Sequence, residues 1–211
     1  MASEARPTQS AGALVDAHAR YLERIALYRS FGYDRPASVR FAVDRLGPFE
    51  GAVLDVGTGR GLLAIELARR GNPVTSIDVS HDEQRIGIDN VTYEGLADRV
   101  TFLTCDARNT PFGDAAFGAI ATVDALHHFD DGPGIFREML RVLAPGGRIL
   151  LADLTPAGFA LVARVHESEG RVHPVGPVTA AAAVDWFASN GFRLLSLEEG
   201  HLHAVAVLEK G

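Results

Sequence analysis

The stretch LDVGTGRG, residues 54–61, places Gly57, Gly59 and Gly61 at alternate positions directly after a short apolar run. Glycine reaches positive φ and leaves the main chain bare, so the loop reads as backbone that a ligand approaches closely rather than as a tight bend alone. Asp55 sits inside the apolar run, two residues before the first glycine. Its carboxylate suits an ammonium group and opposes a diphosphate. The spacing also differs from the G-x-G-x-x-G that seats pyrophosphate on a helix N-terminus. Further along, ATVDALHHFDD carries Asp124, His127 and His128. Histidine takes protons near neutral pH, and a neighbouring carboxylate can orient it. Adjacent residues of a helical turn point about 100° apart, so one of the two histidines at most faces a given reacting atom.

These residues need elements to hold them. From about Asp16 to Leu46 the pattern is helical: Leu14, Ala17, Tyr21, Ile25 and Tyr28 share a face, Gly32 interrupts, and RPASVRFAVDRL restarts with Pro36 in its first turn. Strand-like runs at 52–56, 73–78, 100–106, 117–124 and 148–153 then alternate with helical runs at 62–70, from about Ser80 to Asp98, and at 134–143. A helix over 181–190 precedes two final strands, 192–199 and 203–210, whose link Gly200–His201–Leu202 is hairpin-sized. Alternation implies βαβ crossovers and a parallel sheet, and the short link makes the last strand antiparallel to the one before it. The fold expected is α/β: a doubly wound, Rossmann-like, seven-stranded sheet, mostly parallel with one reversed C-terminal strand, plus an N-terminal helical cap. The divisions expected are a disordered tail over 1–12, the cap over 13–47 and a ligand-binding domain over 48–211.

VLDVGTGRG resembles the first motif of the class I S-adenosylmethionine (SAM)-dependent methyltransferases, in which an acidic residue and G-x-G-x-G cradle an amino-acid moiety. ALHHF before an acidic turn is similar to the small-molecule branch, which includes quinone and other metabolite methyltransferases, and LAPGGRILLAD to a later segment of the family. The resemblance implies SAM as cofactor, with Asp55 orienting its ammonium end and Gly57, Thr58, Gly59 and Gly61 packed against it. Asp78 closes the second strand, where a carboxylate can bind both ribose hydroxyls, while Ser80 supplies the cap of the next helix. Asp106 ends the third strand, where it can accept the adenine amine; an Asx-turn is the lesser reading. The resemblance places adenine contacts at Asp106 and Ala107. Val79, with Ile77, flanks the ribose position and can sandwich the ring or serve as core.

Methyl transfer from a sulfonium is an in-line displacement that depends mostly on orientation. An oxygen acceptor also loses a proton, which makes His127 and His128 catalytic candidates with Asp124 as orienting carboxylate. That turn can equally serve only to cap the cofactor pocket. His166, Glu167, Glu169 and His173 fall in a long, turn-rich connection, where acceptor contacts compete with a solvated loop. Asp124, His127 and His128 with His173 or His201 make a conceivable metal set, but no spacing is a metal signature and the resemblance demands none, so no metal is expected. His201 and His203 read as exposed hairpin residues.

The formal net charge of −7 opposes broad nucleic-acid binding. There is no Asn/Asp-Pro-Pro-Tyr/Phe stretch and no Pro-Cys nucleophile, as DNA methylation would need. A single cysteine, Cys105, excludes an intrachain disulfide framework, fits a reducing compartment and reads as core. No stretch is long and apolar enough for a membrane span, and the N-terminus does not read as a signal peptide. The expectation is a cytoplasmic enzyme methylating a small molecule, with oligomeric state open and a homodimer among the options. A non-catalytic SAM-binding protein and, behind it, a nicotinamide-dependent oxidoreductase are the alternatives.

Overall fold

A computed structural model describes residues 11–211. Two helices come first: α1 (Ala11–Ser30) and α2 (Arg35–Leu46). The tail expected over 1–12 lies outside the described residues up to residue 10; Ala11 and Gly12 already belong to α1. On α1 the buried side chains His18, Tyr21, Ile25 and Tyr28 recur at helical spacing. α2 starts on Asp34, whose carboxylate accepts the Ala37 N–H, with Pro36 in the first turn where its missing N–H is harmless.

Strand–helix alternation follows: β1 (Val53–Val56), α3 (Leu62–Arg69), β2 (Val74–Asp78), α4 (His81–Tyr93), β3 (Val100–Thr104), β4 (Phe117–Val123), α5 (Gly132–Val142) and β5 (Leu143–Leu154). Then come α6 (Pro156–Ser168), α7 (Ala180–Ser189), β6 (Phe192–Gly200) and β7 (His203–Lys210). The strand order is β3-β2-β1-β4-β5-β7-β6, parallel except for β7, which runs antiparallel to both neighbours. β1 is buried along its whole length, as expected of a central parallel strand covered on both faces. One face packs Ile149, Leu151 and Leu208 against Phe136, Met139 and Phe187. The other packs Val53, Leu150 and Val207 against Val39, Val43, Leu63 and Leu67.

Two features depart from the sequence reading. The connection after β5 is not a long loop: α6 occupies Pro156–Ser168, capped by Thr155, whose hydroxyl accepts the Gly158 N–H. β5 also begins earlier than 148, at Leu143, with its register against β4 shifting between Phe117 and Ala119. Among the described residues, no helix is long and apolar enough to cross a membrane.

Candidate active site

The sheet reverses its order between β1 and β4, and a cleft of about 690 Å³ opens beyond the carboxyl ends of these strands. Its walls include Gly57, Gly59, Ile77, Asp78, Val79, Cys105, Asp106, Ala107, Asp124, His127 and His128. The volume falls in the range of small-molecule and cofactor sites. Cys105, expected in the core, borders the cleft as well as packing on the core.

The glycine loop takes the left-handed conformation its composition predicts, with φ of 94° at Gly57, 45° at Gly59 and 80° at Gly61. The Gly57 and Thr58 N–H groups both donate to the Ile77 carbonyl, fixing the turn on β2. A Cβ on Gly57 would lie 2.7 Å from the Ala125 Cβ, and one on Gly61 would lie 3.0 Å from the Gly87 carbonyl oxygen of α4. A Cβ on Gly59 would meet nothing within 4 Å. Two glycines therefore let the loop pack tightly, and the third leaves bare backbone facing the cleft.

Asp55 is not on the cleft wall. It is fully buried beneath the loop, where the Ser76 hydroxyl donates to its Oδ2 at 2.7 Å. Ser76 continues to the Thr58 hydroxyl at 2.7 Å, which also accepts from Gln84 Nε2 at 3.2 Å. Thr58 is likewise buried under the turn. Burial pushes the Asp55 carboxyl up to about 7, against the lowering effect of the Ser76 bond. Its Oδ1 has no partner among the described residues.

Asp78 braces the loop at the cleft edge: Oδ2 accepts the Gly59 N–H at 2.9 Å and Oδ1 the Ser80 N–H at 2.8 Å. Each oxygen keeps a second lone pair. Ser80 caps α4 by accepting the Glu83 N–H. Asp106 forms the Asx-turn that ranked second in the sequence, accepting the Arg108 N–H at 2.8 Å and the Arg108 guanidinium on both oxygens. These bonds hold its carboxyl below the usual range. Val79 is exposed beside Asp78, and Ile77 is buried.

At the other end of the cleft the histidines are brought together, but not as the sequence suggested. Asp124 orients neither His127 nor His128. It accepts from His203 Nε2 at 2.5 Å, from the Tyr33 hydroxyl at 3.0 Å and from Arg35 at 3.4 Å. Burial alone would raise the Asp124 carboxyl; His203 and Arg35 outweigh it and hold it below the usual range, while Asp124 raises His203. His203, expected to be exposed, is therefore completely buried as the charge partner of Asp124. The orienting carboxylate is Asp153 at the end of β5: its Oδ1 lies 2.6 Å from His127 Nδ1 and its Oδ2 accepts the His127 N–H at 3.0 Å. With Nδ1 donating to Asp153, His127 Nε2 carries its lone pair on the cleft side, where His173 Nε2 is its hydrogen-bond neighbour.

The turn Leu126–His128 buries His127 and leaves His128 exposed. The segment between α6 and α7 is fastened to that turn by the Gly176 N–H donating to the His127 carbonyl at 2.6 Å. This puts His173 Nε2 3.1 Å from His127 Nε2. Burial and the neighbouring histidines push His173 down to about 4, and burial also lowers His128. His166 and Glu167 lie on α6 rather than in a loop; His166 is buried with Nε2 3.0 Å from the Tyr28 hydroxyl, and Glu169 pairs with Arg24 and Arg171. Of the conceivable metal set, His127, His128 and His173 converge, Asp124 is engaged elsewhere, and His201 sits on the β6–β7 turn against Phe41.

Sequence reasoning missed Tyr33, Arg35, Asp153 and His203. Only Asp153 carried a local signal, as a carboxylate at the carboxyl end of a strand.

A glycine loop at the β1/β4 reversal, carboxylates ending β2 and following β3, and an antiparallel β7 give the Rossmann-like α/β fold shared with solved methyltransferases. Residues 54–151 match the family described as methyltransferase domain, Methyltransf_11. The chain is 42% identical over 107 residues to methyltransferase GfsG of Streptomyces halstedii, covering 50% of this chain and 38% of that protein. It is 35% identical over 146 residues to the demethylmenaquinone methyltransferase of Porphyromonas gingivalis, covering 67% of this chain and 59% of that protein. Among solved structures, it is similar to geranyl diphosphate C-methyltransferase of Streptomyces coelicolor with S-adenosyl-L-homocysteine, at a TM-score of 0.66 and 17% identity over 83% of this chain and 76% of that one. That likeness is one of fold. The chain spans less than two thirds of the length of the curated relatives it matches.

Proposed function

We propose that this protein transfers the methyl group of SAM to a small-molecule acceptor in the cytoplasm. The observation that carries the reading is the division of one cleft into two ends: bare glycine backbone and carboxylates at one, imidazoles at the other. The nucleoside lies over Gly57 and Gly59, with Asp78 accepting the ribose hydroxyls on its remaining lone pairs. Ile77 and Val79 flank adenine, and Asp106 and Ala107 meet its amine edge. Asp55 and Thr58 act from beneath, holding the loop through Ser76, and Gly61 lets the loop close on α4.

The amino-acid end of SAM is a zwitterion and needs both charges answered. Asp124, held ionised, faces the same space as Arg35 and Arg60. Among the described residues Arg35 Nε is a buried donor without a partner, available to a carboxylate. This is where the fold best answers the question raised by an acidic residue near the loop: charge reaches the cleft from Asp124 and Asp78, not directly from Asp55.

The acceptor approaches from the imidazole end. An acceptor hydroxyl loses its proton at the histidine cluster, the resulting oxygen attacks the methyl carbon in line with sulfur, and neutral S-adenosylhomocysteine leaves. His127 is the residue best placed by its neighbours, since Asp153 fixes its ring. Incubation with SAM and a panel of phenolic, enolic and aliphatic hydroxyl compounds, read as S-adenosylhomocysteine formation by mass spectrometry, tests this. Turnover with one class is expected, falling about 100-fold or more in His127→Ala while S-adenosylhomocysteine binding persists. Intact SAM across the whole panel would contradict the reading.

A further inference from the structure

We propose that His127, His128 and His173 form a binding site for a divalent transition-metal ion of the zinc class, with one coordination position open to the cleft.

The ligand atoms of these three residues all lie within 4.8 Å of one another. His127 Nε2 and His173 Nε2 are 3.1 Å apart. Adjacent nitrogens about 2.0–2.1 Å from one ion lie roughly 2.9 Å apart in an octahedral site and roughly 3.4 Å apart in a tetrahedral one. The observed separation falls between these, so the pair needs little movement to share an ion. His128, on the same 126–128 turn, is exposed, and its ring centroid lies 4.1 Å from that of His127 and 5.5 Å from that of His173.

The surroundings support ligation. Asp153 is 2% exposed and holds His127 Nδ1, the carboxylate–histidine arrangement that fixes ring orientation and strengthens the opposite nitrogen as a donor. His173 is held in place by backbone: the Gly176 N–H bonds the His127 carbonyl, and a Cβ on Gly176 would lie 2.9 Å from that oxygen. Three neutral imidazoles suit zinc, nickel or cobalt rather than magnesium or calcium, which prefer oxygen ligands. Three protein ligands plus an open position is the arrangement of catalytic rather than structural zinc.

The catalytic consequence rests on the methyl-transfer reading, whereas the binding itself does not. An acceptor hydroxyl occupying the open position loses its proton to solvent, because the ion lowers its pKa. The metal-bound oxygen then forms the new C–O bond as the methyl–sulfur bond breaks. One acceptor and one SAM give one methyl ether, one S-adenosylhomocysteine and one proton. His127 then serves as ligand, and Asp153 is a positioning residue.

Chelator-treated protein titrated with Co²⁺, without SAM, tests the site by visible absorption and calorimetry. Expected are one equivalent bound with d–d bands of nitrogen ligation, and displacement by Zn²⁺. His173→Ala removes a ligand at the cleft edge without touching the core and is expected to abolish stoichiometric binding. Asp153→Asn is expected to weaken it about 10–100-fold. His201→Ala, on the far turn, is expected to bind as the parent does. Absence of binding, or binding indifferent to His173→Ala, overturns the proposal. S-adenosylhomocysteine affinity of the same samples separates the two readings: if it stays intact while Co²⁺ fails, only the metal site falls; if it is absent while Co²⁺ binds, only methyl transfer falls.

Discussion

Asp55 shows how a residue's chemistry depends on which side of a backbone it faces. In sequence it reads as a carboxylate beside a ligand loop. In the fold it lies at zero exposure beneath that loop, with one oxygen bonded to Ser76 and the other without a partner among the described residues. A buried, half-satisfied carboxylate is stable mainly when protonated. Its folded value of about 7 lies above the ordinary carboxylate value of about 4. The stability it contributes is complete below about pH 4 and is lost as pH rises through about 7. Asp55→Asn removes that titration, so urea unfolding should show the parent losing stability relative to the variant from about pH 4 to about pH 7 and running parallel to it above about pH 8. Profiles of the two proteins that stay parallel over the whole range would contradict this placement. His127 carries the complementary lesson. Its type and place in ALHHF marked it as a base, yet its partner is Asp153, 26 residues on, rather than Asp124. Strand register decides that pairing, and spacing along the chain does not report it.

At the scale of elements, helices with local signals were legible. Gly71 ended α3 and Ser80 capped α4 through bonds made within a few residues, and Pro36 opened α2, where its missing N–H costs nothing. α6 was not legible, although Thr155–Pro156 is a helix start, because the histidine- and glutamate-rich end of the segment masked its apolar side. Phe159, Val162 and Val165 are placed at helical spacing, and Val162 and Val165 bury against Tyr28 and Tyr33. The short segment after α6 matters more for function than its composition suggests, since Gly176 ties it to the His127 carbonyl. Gly176→Ala forces a Cβ into 2.9 Å contact with that oxygen and should lift His173 away from His127. Methyl transfer is expected to fall by about tenfold or more, since small misplacements at a reacting centre are costly, while affinity for S-adenosylhomocysteine is unchanged. Loss of both together, or of neither, would show that the segment does not position the acceptor end.

Across the whole molecule, the sheet order and the reversed strand followed from alternation and one short hairpin link, which is why the fold was readable. The lining of the cleft was only half readable. The end lined by the glycine loop is built from residues that follow their own strands directly, so sequence position and spatial position coincide. The opposite end is assembled from α1, α2, α6, β5 and β7 around Asp124 and the histidines. Tyr33 meets Asp124 across 91 residues and His203 meets it across 79, distances over which a single sequence carries no pattern. The helical cap and the reversed strand thus do more than cover the sheet. They deliver Arg35 and Tyr33 to the cleft wall and set His203 behind Asp124.

The account rests on the nucleoside of SAM lying against the bare backbone at Gly59. Calorimetric titration of S-adenosylhomocysteine into the parent and into Gly59→Val measures this most directly. One site of micromolar affinity is predicted in the parent, with binding lost in the variant because the new side chain fills the space now open in front of the loop. No heat of binding in the parent, or equal affinity in a folded Gly59→Val, would contradict it.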